Sequence, residues 1–441
     1  MPPEPGRPAL AMAPFRGVRY AAGRVSGLAE VTSPPYDVIA HDIEDQLIAA
    51  DPHNVVRLIL PRDPAGGLDE SYRHAAVTLR DWQDDRILVP DTDPGLYVYE
   101  QAADGQPGGP PGVLQRGIIG ALRLVPPGAG TVLPHEDVVP GPVTGRRRLM
   151  EATEANLEPI FLLYDGSQPG AATRLVEEVA TSREPLVEAL TEDAVRHRLW
   201  AVTHPAEIAA VAADLAPRHA LIADGHHRYA AYRQLQERRR GETQRPGPWD
   251  FGLALLVDSA AYPPRIGAIH RVIPGLAPTA AATLAKSAFC VRPLPGGTDD
   301  LPAALGALEQ AARDGVAFVV AGGGEAHLLT EPDPVQAVAA MPPGRSPHWR
   351  GLAASVLQEL LITRIWGISD DEDSVRVVHH DSAAAVRAAD GAPGGTAVIC
   401  TPLSAADVYA VAASGERVPR KSTSFGPKPR TGLVIRMFAQ G

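Results

Sequence analysis

Apolar positions fall in short blocks along the chain, and their spacing switches between two-residue and 3.6-residue periods. Ile43 to Ala50 has helical spacing. Asn54 to Leu60 alternates like a strand. Tyr72 to Asp84 predicts a helix with Ala75, Leu79 and Trp82 turned inward. Leu96 to Tyr99 and Gly117 to Leu124 predict two strands, and the Gly/Pro-rich run Gly105 to Gly112 predicts the hairpin loop between them. Leu133 opens an irregular stretch that ends at Arg146-Arg147-Arg148, with a helix starting near Leu149. Pro159 to Tyr164 predicts a buried strand, Arg174 to Ala189 a helix, Leu199 to Val202 a strand and Ala206 to Leu215 a helix. Ala220 to Ala223 is a short apolar strand, Arg228 to Arg240 a helix with Ala231 and Leu235 on one face, and Phe251 to Val257 another buried strand. Beyond about residue 275, helices are expected at Ala277 to Phe289, Leu301 to Arg313, Gly351 to Trp366 and Ala405 to Ala413. Strands are expected there at Ala317 to Val320, Ala397 to Cys400 and Leu433 to Phe438. Strands and helices mix without a repeat, which predicts an α+β (mixed α/β) chain with regions 1–274 and 275–441.

Composition adds limits. A chain of 441 residues has room for two or three domains. The 42 glycines and 44 prolines signal loops rather than disorder, because periodic apolar segments recur between them. A formal net charge of −11 argues against a nucleic-acid binder, which carries a basic face. The first residues lack a signal-peptide pattern, and no apolar run reaches the roughly 18 residues of a membrane span. A cytoplasmic protein that does not enter membranes is the expectation. Cys290 and Cys400 alone do not build a disulfide framework or a cysteine-based zinc site, and buried free thiols are expected.

The densest polar motif is Asp224-Gly225-His226-His227-Arg228, set between a strand and a helix. A glycine at such a turn lets backbone N–H groups approach a ligand, and a helix N-terminus favours anions. Arg228 can clamp a phosphate and His227 can donate to it. Asp224 can hold a divalent cation. The competing reading is a polar surface turn. In Pro134-His135-Glu136 the glutamate is either a general base or an exposed loop carboxylate. Lys421-Ser422-Thr423, with Lys428 beyond it, is either an anion-binding loop or a solvated tail. Arg146 to Arg148 is either a solvated charge run or contributes one side chain to an anion. Gly322-Gly323-Gly324 predicts a hairpin turn, since it lacks the lysine and helix start of a Walker loop.

Ser33-Pro34-Pro35-Tyr36-Asp37-Val38-Ile39, Pro134-His135-Glu136, Asp224 to Tyr229 and Lys421 to Thr423 occur in that order. The set resembles a bacterial and archaeal family known as domain of unknown function 1015. Gly225 to Tyr232 is also similar to the ATP-phosphate motif of sulfiredoxin, with His226 where that family has its catalytic cysteine, so sulfinic-acid repair is not implied. The Pro-His-Glu, Asp-Gly-His-His-Arg and late Lys-Ser-Thr runs resemble the archaeal ADP-dependent free L-serine kinase, on the ParB/sulfiredoxin-like fold.

That resemblance implies a nucleotide-binding core with large insertions and a kinase acting on a small hydroxylated amino acid, with ATP or ADP as donor and Mg2+. It implies Glu136 as general base, Asp224 at the metal or transferred phosphoryl group, and Gly225, His226, His227 and Arg228 around nucleotide phosphates. Lys421, Ser422 and Thr423 would bind substrate. Two departures stand out: the interval from Glu136 to Asp224 exceeds that of the archaeal kinase, and Gly145 stands where the broad family carries an aspartate. Phosphatase-type reverse chemistry on a phosphorylated amino acid uses the same residues. A ParB-like nucleotide switch without small-molecule catalysis is the remaining alternative.

Overall fold

Blocks rich in Val, Ile, Leu and Tyr pair into a nine-stranded sheet in the computed structural model. The structure describes residues 7–62, 67–103, 112–126, 128–168, 170–369, 371, 373–391 and 394–440. The expected hairpin loop at 105–112 lies almost wholly outside them. From one edge the sheet runs Val132–Leu133, Ala220–Asp224, Ile160–Tyr164, Phe251–Asp258, Gly112–Arg123, Leu96–Ala103, Val195–Val202 and Val187–Leu190. Met12–Ala13 pairs with the Gly112–Arg123 strand off this path. Ile160–Tyr164 is buried at every position, as a strand covered on both faces must be. Glu100 is fully buried in this sheet, ion-paired to Arg116 and Arg198, which stand directly opposite it on the two neighbouring strands.

The fold is mixed α/β and divides into two compact units. The first takes the chain up to Pro264 and again from Pro427 onward. The second is Arg265–Gly426. The expected division into 1–274 and 275–441 differs from this one at both ends of the second unit. Ile269–Pro274 pairs with Gly395–Ile399 and Arg376–His379 inside the second unit's six-stranded antiparallel sheet. The closing strand, Ile435–Met437, instead joins Gly17–Tyr20 and Ala155–Asn156 in a four-stranded sheet of the first unit. Arg430 anchors that return. Its Nε donates to Thr32 Oγ1 at 2.7 Å, and its Nη2 donates to the carbonyls of Ala29 and Thr32, both at 3.0 Å. Its backbone N–H donates to Tyr99 OH at 3.1 Å, so the phenol donates onward to His197 Nδ1 at 2.8 Å. Burial pushes the His197 imidazole down to about 4, which keeps it neutral and able to accept.

Several local expectations change. Asn54 to Leu60 is not a strand: Val56–Ile59 is a short helix with Val56, Leu58 and Ile59 buried. Asn54 turns the chain there, its Oδ1 accepting from Val56 N at 2.9 Å and its Nδ2 donating to Glu30 O at 2.7 Å. The helix expected from Leu149 starts nine residues earlier, at Pro140, and spans Pro140–Thr153. Proline at the first helical position needs no N–H partner, which is why the break reads as a helix start. The helix after Gly170 stops at Ser182, and Val187–Leu190 is a strand. The expected helix from Gly351 to Trp366 is divided into Pro347–Gly351, Ala353–Ser355 and a π-helix, Val356–Ile365. Gly322 to Gly324 is the hairpin turn between Phe318–Gly322 and Glu325–Thr330, all three glycines at positive φ. Cys290 is exposed rather than buried. No helix among the described residues is long and apolar enough to cross a membrane.

Candidate functional site

Ala220–Asp224 runs parallel to Val132–Leu133, with Ala220 opposite Val132 and Leu221 opposite Leu133. Parallel neighbours end at the same edge of a sheet. Pro134-His135-Glu136 and Asp224-Gly225-His226 therefore leave the sheet side by side, although far apart in sequence. On its other flank the Ala220–Asp224 strand shifts register against Ile160–Tyr164 between Ile222 and Asp224, a bulge that re-aims the strand end. Gly225 then turns the chain at φ +89° and caps the helix His226–Thr243. A Cβ at this position would lie 3.0 Å from Ile160 Cγ2 and 3.1 Å from Arg228 Nε. Left-handed backbone and crowding both select glycine here. Gly225→Ala is expected to destabilise the first unit by about 1–2 kcal/mol from the backbone conformation alone. Urea unfolding checks this, and an unchanged midpoint would contradict the turn geometry.

Arg228 does not lie on the surface of the first helical turn. It is 1% exposed and among the largest fully buried side chains. Its Nη1 donates to Pro159 O at 2.7 Å and its Nη2 to Asp224 Oδ2 at 2.5 Å. The other Asp224 oxygen, Oδ1, is 2.5 Å from Lys428 Nζ, which also donates to Asp37 Oδ2 at 3.2 Å. Glu158 is buried nearby. Its Oε1 accepts from Tyr36 N at 3.0 Å, and its carboxylate lies 3.8 Å from Arg146 and 4.0 Å from Arg228. The Arg146 guanidinium sits over the Tyr36 ring, 4.2 Å from its centroid. Three carboxylates and three cations thus interlock beneath the helix start. Burial raises the Glu158 carboxyl above its ordinary value, against the pull of Arg228 and Arg146. Burial would also raise Asp37, but Arg228 and Lys428 outweigh it and hold that carboxyl down. Burial pushes the Tyr36 phenol up to about 12 despite both arginines, so it stays protonated. Arg228 Nε is buried without a hydrogen-bond partner.

The histidines form a second layer. His135 is buried, and its Nδ1 donates to Ile222 O at 2.7 Å, which leaves Nε2 with the lone pair. Its backbone N–H donates to His226 Nε2 at 3.2 Å, and the two rings meet edge-on at 4.5 Å. Val139 N donates to His227 Nε2 at 3.0 Å. Val139 caps the Pro140–Thr153 helix, so this bond ties the starts of two helices together. His135, Glu136 and His226 each bring one potential ligand atom within 4.8 Å of the others.

The structure thus brings together Pro134 to Glu136 and Asp224 to Arg228, with the Tyr36-Asp37 pair of the first motif and Lys428 of the last segment. It assigns Lys421, Ser422 and Thr423 to the second unit. There Lys421 adopts φ +53°, its carbonyl accepts from Arg271 Nη2 at 3.0 Å, and Ser422 Oγ donates to Pro419 O at 2.6 Å. Arg146 to Arg148 all lie on the Pro140–Thr153 helix. Arg147 pairs with Glu151 and Arg148 with Asp69, while Arg146 faces the buried Glu158 carboxylate. Sequence reasoning missed Glu158. Its signal was a lone carboxylate in the apolar run Leu157 to Leu163, where a charge needs a buried partner.

The model of the family described as protein of unknown function (DUF1015) matches residues 12–355. The chain belongs to that family. The match spans both candidate motifs of the first unit and stops short of Lys421 to Thr423. Comparison with curated proteins gives no match. Among solved structures, this DUF1015 member is similar to a free serine kinase in complex with AMP, at 14% identity and a TM-score of 0.33, covering 69% of this chain and 89% of the kinase. It is similar to a conserved hypothetical protein from Pyrococcus furiosus at 13% identity and a TM-score of 0.34, covering 70% of this chain and 94% of that one. A C-terminally truncated SbnI from Staphylococcus aureus gives 12% identity and a TM-score of 0.32, covering 72% of this chain and 87% of that one.

Proposed function

We propose that this protein is a nucleotide-dependent phosphotransferase acting on a small hydroxylated amino acid, of the free serine kinase type, with a ParB/sulfiredoxin-like nucleotide core. The observation that carries the reading is the placement of Glu136 beside a glycine-led helix start. In this reading the backbone N–H groups opening the His226–Thr243 helix hold nucleotide phosphates, with His226 and His227 at their edge. The Glu136 carboxylate accepts the proton of the substrate hydroxyl as its oxygen attacks the transferred phosphoryl group.

Arg228 acts here through Asp224 and not as a free phosphate clamp, because its guanidinium already serves Asp224 and Pro159. Magnesium at Asp224 fits these residues poorly. Both carboxylate oxygens are ion-paired to cations, and a divalent ion would meet Arg228 and Lys428 at close range.

The test is a thermal-shift screen of ATP, ADP, CTP and GTP, with and without magnesium, crossed with serine and phosphoserine. A nucleotide at a hundredfold excess over its dissociation constant stabilises the folded state by about 2.7 kcal/mol. At least one of the adenine nucleotides is expected to raise the melting temperature by a few degrees. No shift with any nucleotide would sink the reading.

A further inference from the structure

We propose that His135, Glu136 and His226 form a binding site for a divalent transition-metal ion. One ligand atom from each lies within 4.8 Å of the others. Around a zinc-like ion with bonds of about 2.0–2.2 Å, tetrahedral ligand atoms stand roughly 3.4 Å apart. Coordination uses the His226 ring lone pair that here accepts from the His135 backbone N–H at 3.2 Å, so an ion would take the place of that hydrogen bond.

Three further features fit a metal. First, His135 is oriented from behind: Nδ1 donates to the Ile222 carbonyl at 2.7 Å, which fixes the tautomer and leaves Nε2 as the coordinating atom. A metal-bound histidine usually donates its other ring nitrogen to a carbonyl or carboxylate in this way. Second, the two imidazoles are buried while Glu136 is partly exposed. An ion would then have two dry protein ligands and an approach from the Glu136 side. Third, the backbone fixes the set. The ligands leave two adjacent parallel strands at the same sheet edge, so their spacing is set by hydrogen-bond register and not by a loose loop.

The donor chemistry selects the ion. Two imidazoles and one carboxylate suit zinc, cobalt, iron or manganese, whereas magnesium prefers oxygen ligands in octahedral geometry. Two histidines and one carboxylate also leave coordination positions open for an external ligand. The proposal does not need the phosphotransferase reading to hold, although the two share Glu136 and His226. Both use Glu136, and one of its oxygens suffices for an ion.

The experiment uses the full-length, tag-free chain after chelator treatment, with no nucleotide present. Cobalt is titrated and followed by its visible absorption, and zinc and magnesium are titrated by calorimetry. One equivalent of cobalt or zinc is expected, bound at least about tenfold more tightly than magnesium. Loss of an outer-sphere partner alone costs about 10–100-fold in metal affinity, so Glu136→Gln and His226→Gln are each expected to cost at least that. Glu136 is partly exposed, so the E136Q variant keeps the test valid if the buried His226 position does not tolerate change. Absence of a cobalt absorption band, or equal affinity in parent and both variants, would overturn the site. A protein that binds cobalt but no nucleotide would refute the phosphotransferase and leave the metal site standing.

Discussion

Replacing Arg228 by methionine is expected to lower the stability of the first unit by about 3–5 kcal/mol, the usual cost of removing one partner from a buried ion pair. Arg228 is 1% exposed and compensates Asp224 while also facing Glu158. Methionine fills most of the volume, so the loss is electrostatic rather than a cavity. It leaves Asp224 with Lys428 and Glu158 with Arg146 as their remaining cations, so part of each buried charge is stranded, and the Pro159 carbonyl loses its donor. Tryptophans lie in both units, so bulk fluorescence would mix two transitions. Hydrogen exchange of the His226–Thr243 helix isolates the relevant one. Adding Asp224→Asn to the arginine variant should recover part of the loss, because it removes one of the stranded charges. A single variant within about 1 kcal/mol of the parent would show that the network is solvated and the arginine expendable, as a surface clamp would be.

Glu136→Gln should leave nucleotide binding in place and slow phosphoryl transfer by about a hundred- to ten-thousand-fold. Glutamine keeps the shape and an acceptor oxygen but takes no proton at neutral pH. The assay is phosphoserine formation from serine with ATP or ADP, run beside the parent. Equal turnover in an active parent and its variant would remove Glu136 from the base role. A parent that binds nucleotide tightly yet phosphorylates no hydroxylated amino acid would favour a nucleotide-operated switch.

The strand-then-helix frame around Asp224 was legible because Ala220 to Ala223 is continuously apolar and the helix after it has clear 3.6-residue spacing. The glycine at position 225 was legible as the turn residue between these elements, while its positive φ came only with the structure. What the sequence hid was the partner of each charge. Arg228 and Arg148 look alike in a string of letters, yet one is sealed in a six-membered charge network and the other is half exposed. Only Asp224, four residues before Arg228, is a local partner. Their environments are set by Glu158, Asp37 and Lys428, which arrive from remote segments. The Asn54 to Leu60 segment misled for a related reason. Its alternation is real, but Asn54 starts a helical turn, and neighbouring segments bury the residues that a half-exposed strand would show to solvent.

The return of the last segment to the first unit also sets an order of events at the ribosome. Ile435 and Met437 fill the same core as Val18, Leu149 and Ala155, and Lys428 completes the charge network under Gly225. None of these can be supplied until all of Arg265–Gly426 has been synthesised. At about 5–20 residues per second, that is a wait of roughly ten to thirty seconds. During it the nascent first unit exposes the apolar edge of Gly17–Tyr20, and Asp224 has Arg228 but not Lys428 beside it. The intervening unit owns a separate core and can close on its own. Newly made chains should therefore pass through a state with a folded middle and an unfinished beginning, and it is that state, more than the mature protein, that would engage chaperones.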